Sequence, residues 1–236
     1  MEGSHTRPDP KTSEELTMEK RPLSCASFLL LAALASAPLA AATTIDYGVK
    51  AGLSLSNVTW GYDLEADKSV LRPTFGVFVA FNLSPHWAIQ PEINYLTTGE
   101  RASETFDSTT IKYVESFDYL QVPVLVKFSF RPLGKITPVV FAGPAVAFLL
   151  RAHEKEYLNG SLEYDTNIKT LLRTADLGLD FGLGAGMALG KLKGLLDLRY
   201  YLGLVNVYHR PAAMLMALVE NSLRNNAFVV TLGVMF

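Results

Sequence analysis

NNAFVVTLGVMF, residues 225–236, is the stretch whose reading decides the fold. Counting back from Phe236, the residues Val234, Leu232, Val230 and Phe228 fall at every second position, with Met235, Gly233, Thr231 and Val229 between them. A period of two belongs to a strand, whose successive side chains point to opposite faces. A terminal strand is ordinarily a sheet edge with unpaired backbone groups, which Lys or Pro commonly protects. Neither is present in this stretch, so another strand is expected to cover it.

The same alternation recurs upstream. IDYGVKAGLSLSN (45–57) sets Ile45, Tyr47, Val49, Ala51, Leu53 and Leu55 against Asp46, Gly48, Lys50, Gly52, Ser54 and Ser56. PTFGVFVAFNL (73–83), WAIQPEINYL (87–96), YLQVPVLVKFSF (119–130), ADLGLDFGLGAGMALG (175–190) and LLDLRYYLGL (195–204) follow the same rule. ITPVVFAGPAVAFLL (136–150) is apolar on both faces, so its phase is open, although Gly143, Ala145 and Ala147 make one side small. With the closing stretch this makes eight strands.

The connections alternate in length. Short turns, Ser84–His86, RPLGK (131–135) and KLKG (191–194), join the second strand to the third, the fourth to the fifth and the sixth to the seventh. The other connections are long. Short turns on one side, long loops on the other and an even strand count are the pattern of a transmembrane β-barrel. The expected fold is all-β: an eight-stranded antiparallel up-and-down transmembrane barrel with long extracellular loops and short periplasmic turns. Closure would pair the last strand with the first and remove the edge.

Composition agrees. The chain has 236 residues, 49% of them hydrophobic and 19% charged, with mean hydropathy +0.21. A net charge of −2 offers no basic excess to neutralise phosphates, which argues against nucleic acid as a partner. The single Cys25 excludes an intrachain disulfide, and His5, His86, His153 and His209 are too scattered for a local metal motif. No cofactor is expected.

Residues 1–42 read as an N-terminal extension and cleavable signal peptide, and 43–236 as the barrel. Lys20 and Arg21 precede an apolar run from Phe28 to Ala35, and Ala40-Ala41-Ala42 is a small-residue cleavage pattern, placing cleavage after Ala42. Met18 is the more natural start. Cys25 precedes the apolar run, whereas a lipoprotein cysteine follows it.

Side-chain bulk assigns the faces. Phe75, Phe81, Trp87, Phe128 and Phe181 share the apolar face, while Gly48, Gly52, Gly76, Gly178, Gly182, Gly184, Gly186 and Gly203 lie on the other. Eight strands leave an interior only wide enough for side chains to fill, so the apolar face should meet lipid. A secreted calyx holding a hydrophobic ligand would need the reverse. An interior charge network is expected from Lys50, Glu92, Lys127, Asp176, Asp180, Asp197 and Arg199, because isolated charge inside is costly. Arg199 should lie opposite Gly184 or Gly186. The network should fix register and exclude water, leaving no open pore. Trp87, Phe128 and Phe130 at one end, and Tyr95, Tyr119 and Trp60 at the other, should form aromatic girdles.

YGVKAGLSLSN, GVFVAFNLSPHWAIQPEINYLTTG, YLQVPVLVKF, FAGPAVAFLL, DLGLDFGLGAGMAL and LDLRYYLGL together resemble the PorT-type outer-membrane β-barrel domain family. The resemblance implies a small bacterial outer-membrane barrel inserted by the barrel-assembly machinery. In such proteins that machinery reads a last strand ending in an aromatic, which implies Phe228, Val230, Leu232, Val234 and Phe236 as the insertion signal. It implies little about activity.

Function should sit in the long loops. In the third, Asn159-Gly160 is a strong hairpin signal, so the flanking strands should extend beyond the membrane as a ribbon, which is either a rim without a ligand or, in the sharper reading, an edge offered to an extracellular partner. In the fourth, Met214, Leu215, Leu218, Val219 and Leu223 form a helical stripe after Pro211, expected to cap the barrel mouth. The expected role is structural or surface-interacting, in a monomer surrounded by outer-membrane lipids, and not enzymatic. The alternative is a lipid-modifying enzyme using loop groups such as Ser103, Ser108, Ser161, His153 and His209, and no spacing ties these into a relay.

Overall fold

The computed structural model describes residues 44–59, 68–107, 109–206 and 224–236. The signal segment, Trp60, Ser108, His209 and the helical stripe at 211–223 lie outside the described residues. Ten strands run in chain order: β1 (Thr44–Thr59), β2 (Lys68–Asn82), β3 (Trp87–Thr98), β4 (Glu100–Phe106), β5 (Thr109–Ser129), β6 (Ile136–Leu158), β7 (Ser161–Asn167), β8 (Ala175–Leu189), β9 (Leu192–Gly203) and β10 (Arg224–Met235).

Eight of them close a ring. Each pairs antiparallel with the next in the order β1, β2, β3, β5, β6, β8, β9, β10, and β10 returns to β1. The closing seam runs from Gly48↔Met235 to Thr59↔Arg224, and the Phe236 amide donates to the Tyr47 carbonyl at 2.8 Å. The unprotected terminal strand is therefore paired on both sides, with β1 and with β9.

The apolar face is outside. Leu53, Phe75, Leu183 and Leu232 are exposed, whereas Lys50, Ser54, Glu92, Asp180 and Arg199 are buried. A soluble sandwich would show the opposite. The open phase of β6 resolves with Phe141, Ala145, Ala147 and Leu149 buried, and Pro144 and Phe148 outward. Inward bulk is not confined to small residues: Phe78 and Phe141 also lie inside. Glycines directly opposite on the adjacent strands make room for them, since a Cβ on Gly48 would strike the Phe78 ring and one on Gly182 the Phe141 ring.

Two expectations about side chains are corrected. Tyr119 does not join an outer girdle; it is buried in the lumen, sharing a face with Gln121. Arg199 stands opposite Gly182, not Gly184 or Gly186. The β8–β9 hairpin turns on two residues, Gly190 and Lys191, with Leu189 opposite Leu192 and Gly190 at φ 67°. That turn is shorter than the four-residue KLKG, and the shorter turn shifts the register.

The third correction concerns the long connection after β3. It is another hairpin: β3 breaks at Gly99 and continues as β4, which pairs with the upper half of β5 from Arg101↔Val114 to Phe106↔Thr109. On the other side, β6 turns at Asn159-Gly160, both with positive φ, into β7. Two successive left-handed residues are what a two-residue type I′ hairpin requires. β4, β5, β6 and β7 thus form a four-stranded sheet rising from the long-loop end, with β7 at its free edge.

Candidate functional site

Glu92, on β3, sits at the centre of the lumen. Its Oε2 accepts from Lys50 Nζ at 2.6 Å and from Arg199 Nη1 at 2.8 Å, and its Oε1 accepts from Arg199 Nη2 at 3.0 Å. Gln90 and Asn94, two positions away on the same strand face, donate to the same carboxylate at 2.7 and 2.9 Å. Arg199 Nη1 also reaches Asp180 Oδ2 at 3.3 Å, and its guanidinium lies 5.3 Å from the centre of the Phe141 ring. Staves β1, β3, β8 and β9 are thereby tied through one carboxylate and one guanidinium. The bidentate geometry suits Arg and not Lys.

The other members of the expected network are placed differently. Among the described residues Lys127 meets no carboxylate; it donates to Gln90 Oε1 at 3.1 Å and lies over Phe141. Asp197 is buried one step nearer the turn end, opposite Gly184, and among the described residues no hydrogen bond joins it to Lys50 or Arg199. Asp176 belongs to a separate layer nearer the loops. Its Oδ2 accepts from Tyr201 Oη at 3.0 Å and from Asn225 Nδ2 at 3.2 Å, and Asn225 also donates to Tyr119 Oη at 3.0 Å. Asp176 lies four residues before Asp180 on the same face, two pleat repeats further up the lumen, and among the described residues no hydrogen bond joins it to Arg199.

Above this layer, Phe117, Tyr119, Ala147, Leu149, Ala152, Ile168 and Leu172 pack as an apolar cluster. The lumen is consequently lined at these levels by buried side chains.

The girdle at the turn end is formed by Trp87, Phe128 and Phe130, with ring centres 4.8 and 5.0 Å apart in succession. Toward the loop end Tyr95 stacks on Phe75 at 5.0 Å. Such belts match the two membrane interfaces. The terminal residues Val230, Leu232 and Phe236 are exposed on the lipid face with Phe228, and Phe236 stacks on Tyr47 at 5.7 Å.

On the rim sheet, Ser116 of β5 stands opposite His153 of β6. His153 Nδ1 lies 2.9 Å from Asp165 Oδ1 on β7, and Lys155 Nζ is 3.6 Å from the other oxygen. The hydrogen bond with His153 is the main cause that holds the Asp165 carboxyl below its ordinary range. Ser116 Oγ, however, accepts from Arg72 Nη2 at 2.7 Å, and among the described residues no hydrogen bond joins Ser116 to His153. Sequence spacing gave no sign of this cluster, because its members come from four strands.

Comparison with known proteins gives three findings. Residues 35–209 match the family described as "Outer membrane protein beta-barrel domain". No curated protein matches the chain. Among solved structures, Neisserial surface protein A is similar at 13% identity and TM-score 0.41, covering 80% of this chain and 95% of that one. The Ail protein of Yersinia pestis, solved with the heparin analogue sucrose octasulfate, is similar at 12% identity and TM-score 0.41, covering 82% and 100%. OprG of Pseudomonas aeruginosa is similar at 12% identity and TM-score 0.38, covering 81% and 95%. The family match spans most of the chain and includes seven of the eight barrel staves. The chain belongs to the outer membrane protein β-barrel domain family.

Proposed function

We propose that this outer-membrane barrel acts at the bacterial cell surface through its rim sheet, with the Glu92–Arg199 cluster serving to hold the staves in register. The observation that carries the reading is the free edge of β7. All of Ser161–Asn167 is exposed, with Leu162 at 51% and Tyr164 at 65%, and no strand pairs with its outer side among the described residues. An unpaired edge with apolar side chains accepts an extended segment by strand addition. The buried side chains lining the lumen favour this role over conduction. A photo-crosslinker at Tyr164, activated in intact cells, should capture a specific protein; capture of lipid alone, or of nothing, would leave a purely structural role.

Within the family, YLQVPVLVKF and FAGPAVAFLL support placing the chain in the PorT-type branch. The alternation ending at Phe236 supports insertion by the barrel-assembly machinery, as a monomer, after removal of residues 1–42. The rim serine and histidine do not support hydrolysis, because the Arg72 guanidinium, and not His153, holds Ser116. Ester hydrolysis by the purified barrel that is lost in Ser116→Ala would reverse that reading.

A further inference from the structure

The turn end of the lumen opens into a cavity of about 390 Å³ that the ion cluster does not use. Its wall is drawn from β2, β3, β5, β6, β8, β9, β10 and the β5–β6 turn, so it is the mouth of the barrel itself and not a surface crease. Three lysines line it: Lys127 from β5, Lys135 from the turn and Lys193 from β9. Among the described residues no Asp or Glu lines it. Asp46 and Asp197 lie on neighbouring positions outside its lining, where Asp46 accepts from Asn82 and Asp197 stands opposite Gly184.

We propose that this vestibule binds a phosphate-bearing anion on the periplasmic side. Lys127 is the fixed element. It is held by Gln90 and by the face of Phe141, and the carboxylate two residues beyond Gln90 is already met by Lys50 and Arg199. Lys135 and Lys193 are exposed and engage no acid among the described residues, so they are free to close on a bound group. Lysines act on phosphate as point charges that tolerate varied geometry. Three lysines lining one concavity favour a multiply charged oxyanion over a single carboxylate. The volume lies within the usual range for small-ligand pockets and accommodates a free diphosphate or the phosphate of a lipid headgroup entering from the inner leaflet.

The test uses the barrel purified from outer membranes in zwitterionic micelles, titrated with inorganic pyrophosphate by calorimetry, and in nanodiscs with and without phosphatidylglycerol. Saturable binding at one site is expected, weakened tenfold or more by Lys127→Met or Lys193→Met. Lys112→Met, on the rim sheet, should leave it unchanged. Pyrophosphate binding indifferent to phosphatidylglycerol identifies a free anion as the ligand, whereas displacement of pyrophosphate by that lipid identifies a headgroup. Absence of saturable binding to both probes overturns the proposal. So does wild-type affinity in a Lys127→Met/Lys135→Met/Lys193→Met variant that keeps the heat-modified gel mobility of the folded barrel.

Discussion

Arg199 and Glu92 lie 107 residues apart and meet across the lumen through two parallel hydrogen bonds, at 2.8 and 3.0 Å. Neither strand touches the other in the sheet; the contact exists because the barrel closes. Removing one partner of a buried pair leaves an uncompensated charge, which costs about 3–5 kcal/mol. Glu92→Leu strands Lys50 and leaves Arg199 with Asp180 alone, and should lower the unfolding free energy from urea titration by that order. Asp180→Asn, which leaves Glu92 in place, should cost clearly less. Equal midpoints for Glu92→Leu and the parent barrel would show that the cluster does not hold the staves.

Gly182 faces Arg199 across the β8–β9 ladder, and a Cβ there would meet the Leu198 carbonyl and the Phe141 ring. Gly182→Val should therefore displace Phe141, the ring on which Lys127 and Arg199 both rest. A loss on the order of 1–3 kcal/mol is expected from such overpacking, checked by the temperature at which gel mobility changes. Gly186→Val, where the nearest side-chain atom is 3.7 Å away, should be much milder.

The rim sheet should loosen in acid. Asp165 has a carboxyl held low, chiefly by its hydrogen bond with His153. A depressed carboxyl contributes stability that is complete above its unfolded value of about 4 and is lost as pH falls through the lower folded value. Amide exchange in β7, corrected for intrinsic rates, should thus be flat between neutral pH and about 4 and rise below it. Asp165→Asn should remove the pH step.

Much of this architecture was legible because lipid and lumen impose opposite demands on alternate residues. ADLGLDFGLGAGMALG shows the effect plainly, with Leu177, Leu179, Phe181 and Leu183 outward and Asp176, Gly178, Asp180 and Gly182 inward. Where both faces of a segment are apolar or both are polar, the pattern is silent. β6 is ambiguous in phase for the first reason, and β4, ERASETF, carries no alternation for the second. The charge set was legible as residue types, but its wiring was not: Lys127 and Asp176 share a face with Arg199 yet among the described residues form no hydrogen bond with it. Register set by a two-residue turn decided which glycine Arg199 would oppose. The Ser116, His153 and Asp165 grouping depends on strands that sequence alternation missed or left unplaced.

Phe236 completes the seam, through its amide to Tyr47 and its ring stacked on the same residue. Phe236→Ala should slow insertion into membranes that carry the assembly machinery while leaving spontaneous refolding in detergent nearly intact. Equal slowing in both would make Phe236 a packing residue only, and no slowing in either would remove it from assembly altogether.

The central claim is a closed eight-stranded barrel with its apolar face toward lipid. Methyl nuclear Overhauser spectroscopy of the folded protein in micelles tests it without altering a residue. Leu53, Val77, Leu183 and Val230 methyls should show contacts to detergent acyl chains, Leu125 and Val229 should show none, and amide contacts should connect β1 to β10 along Leu53↔Val230. Acyl contacts at Leu125 and Val229 with none at Leu183, or the absence of the β1–β10 contacts, would contradict the fold.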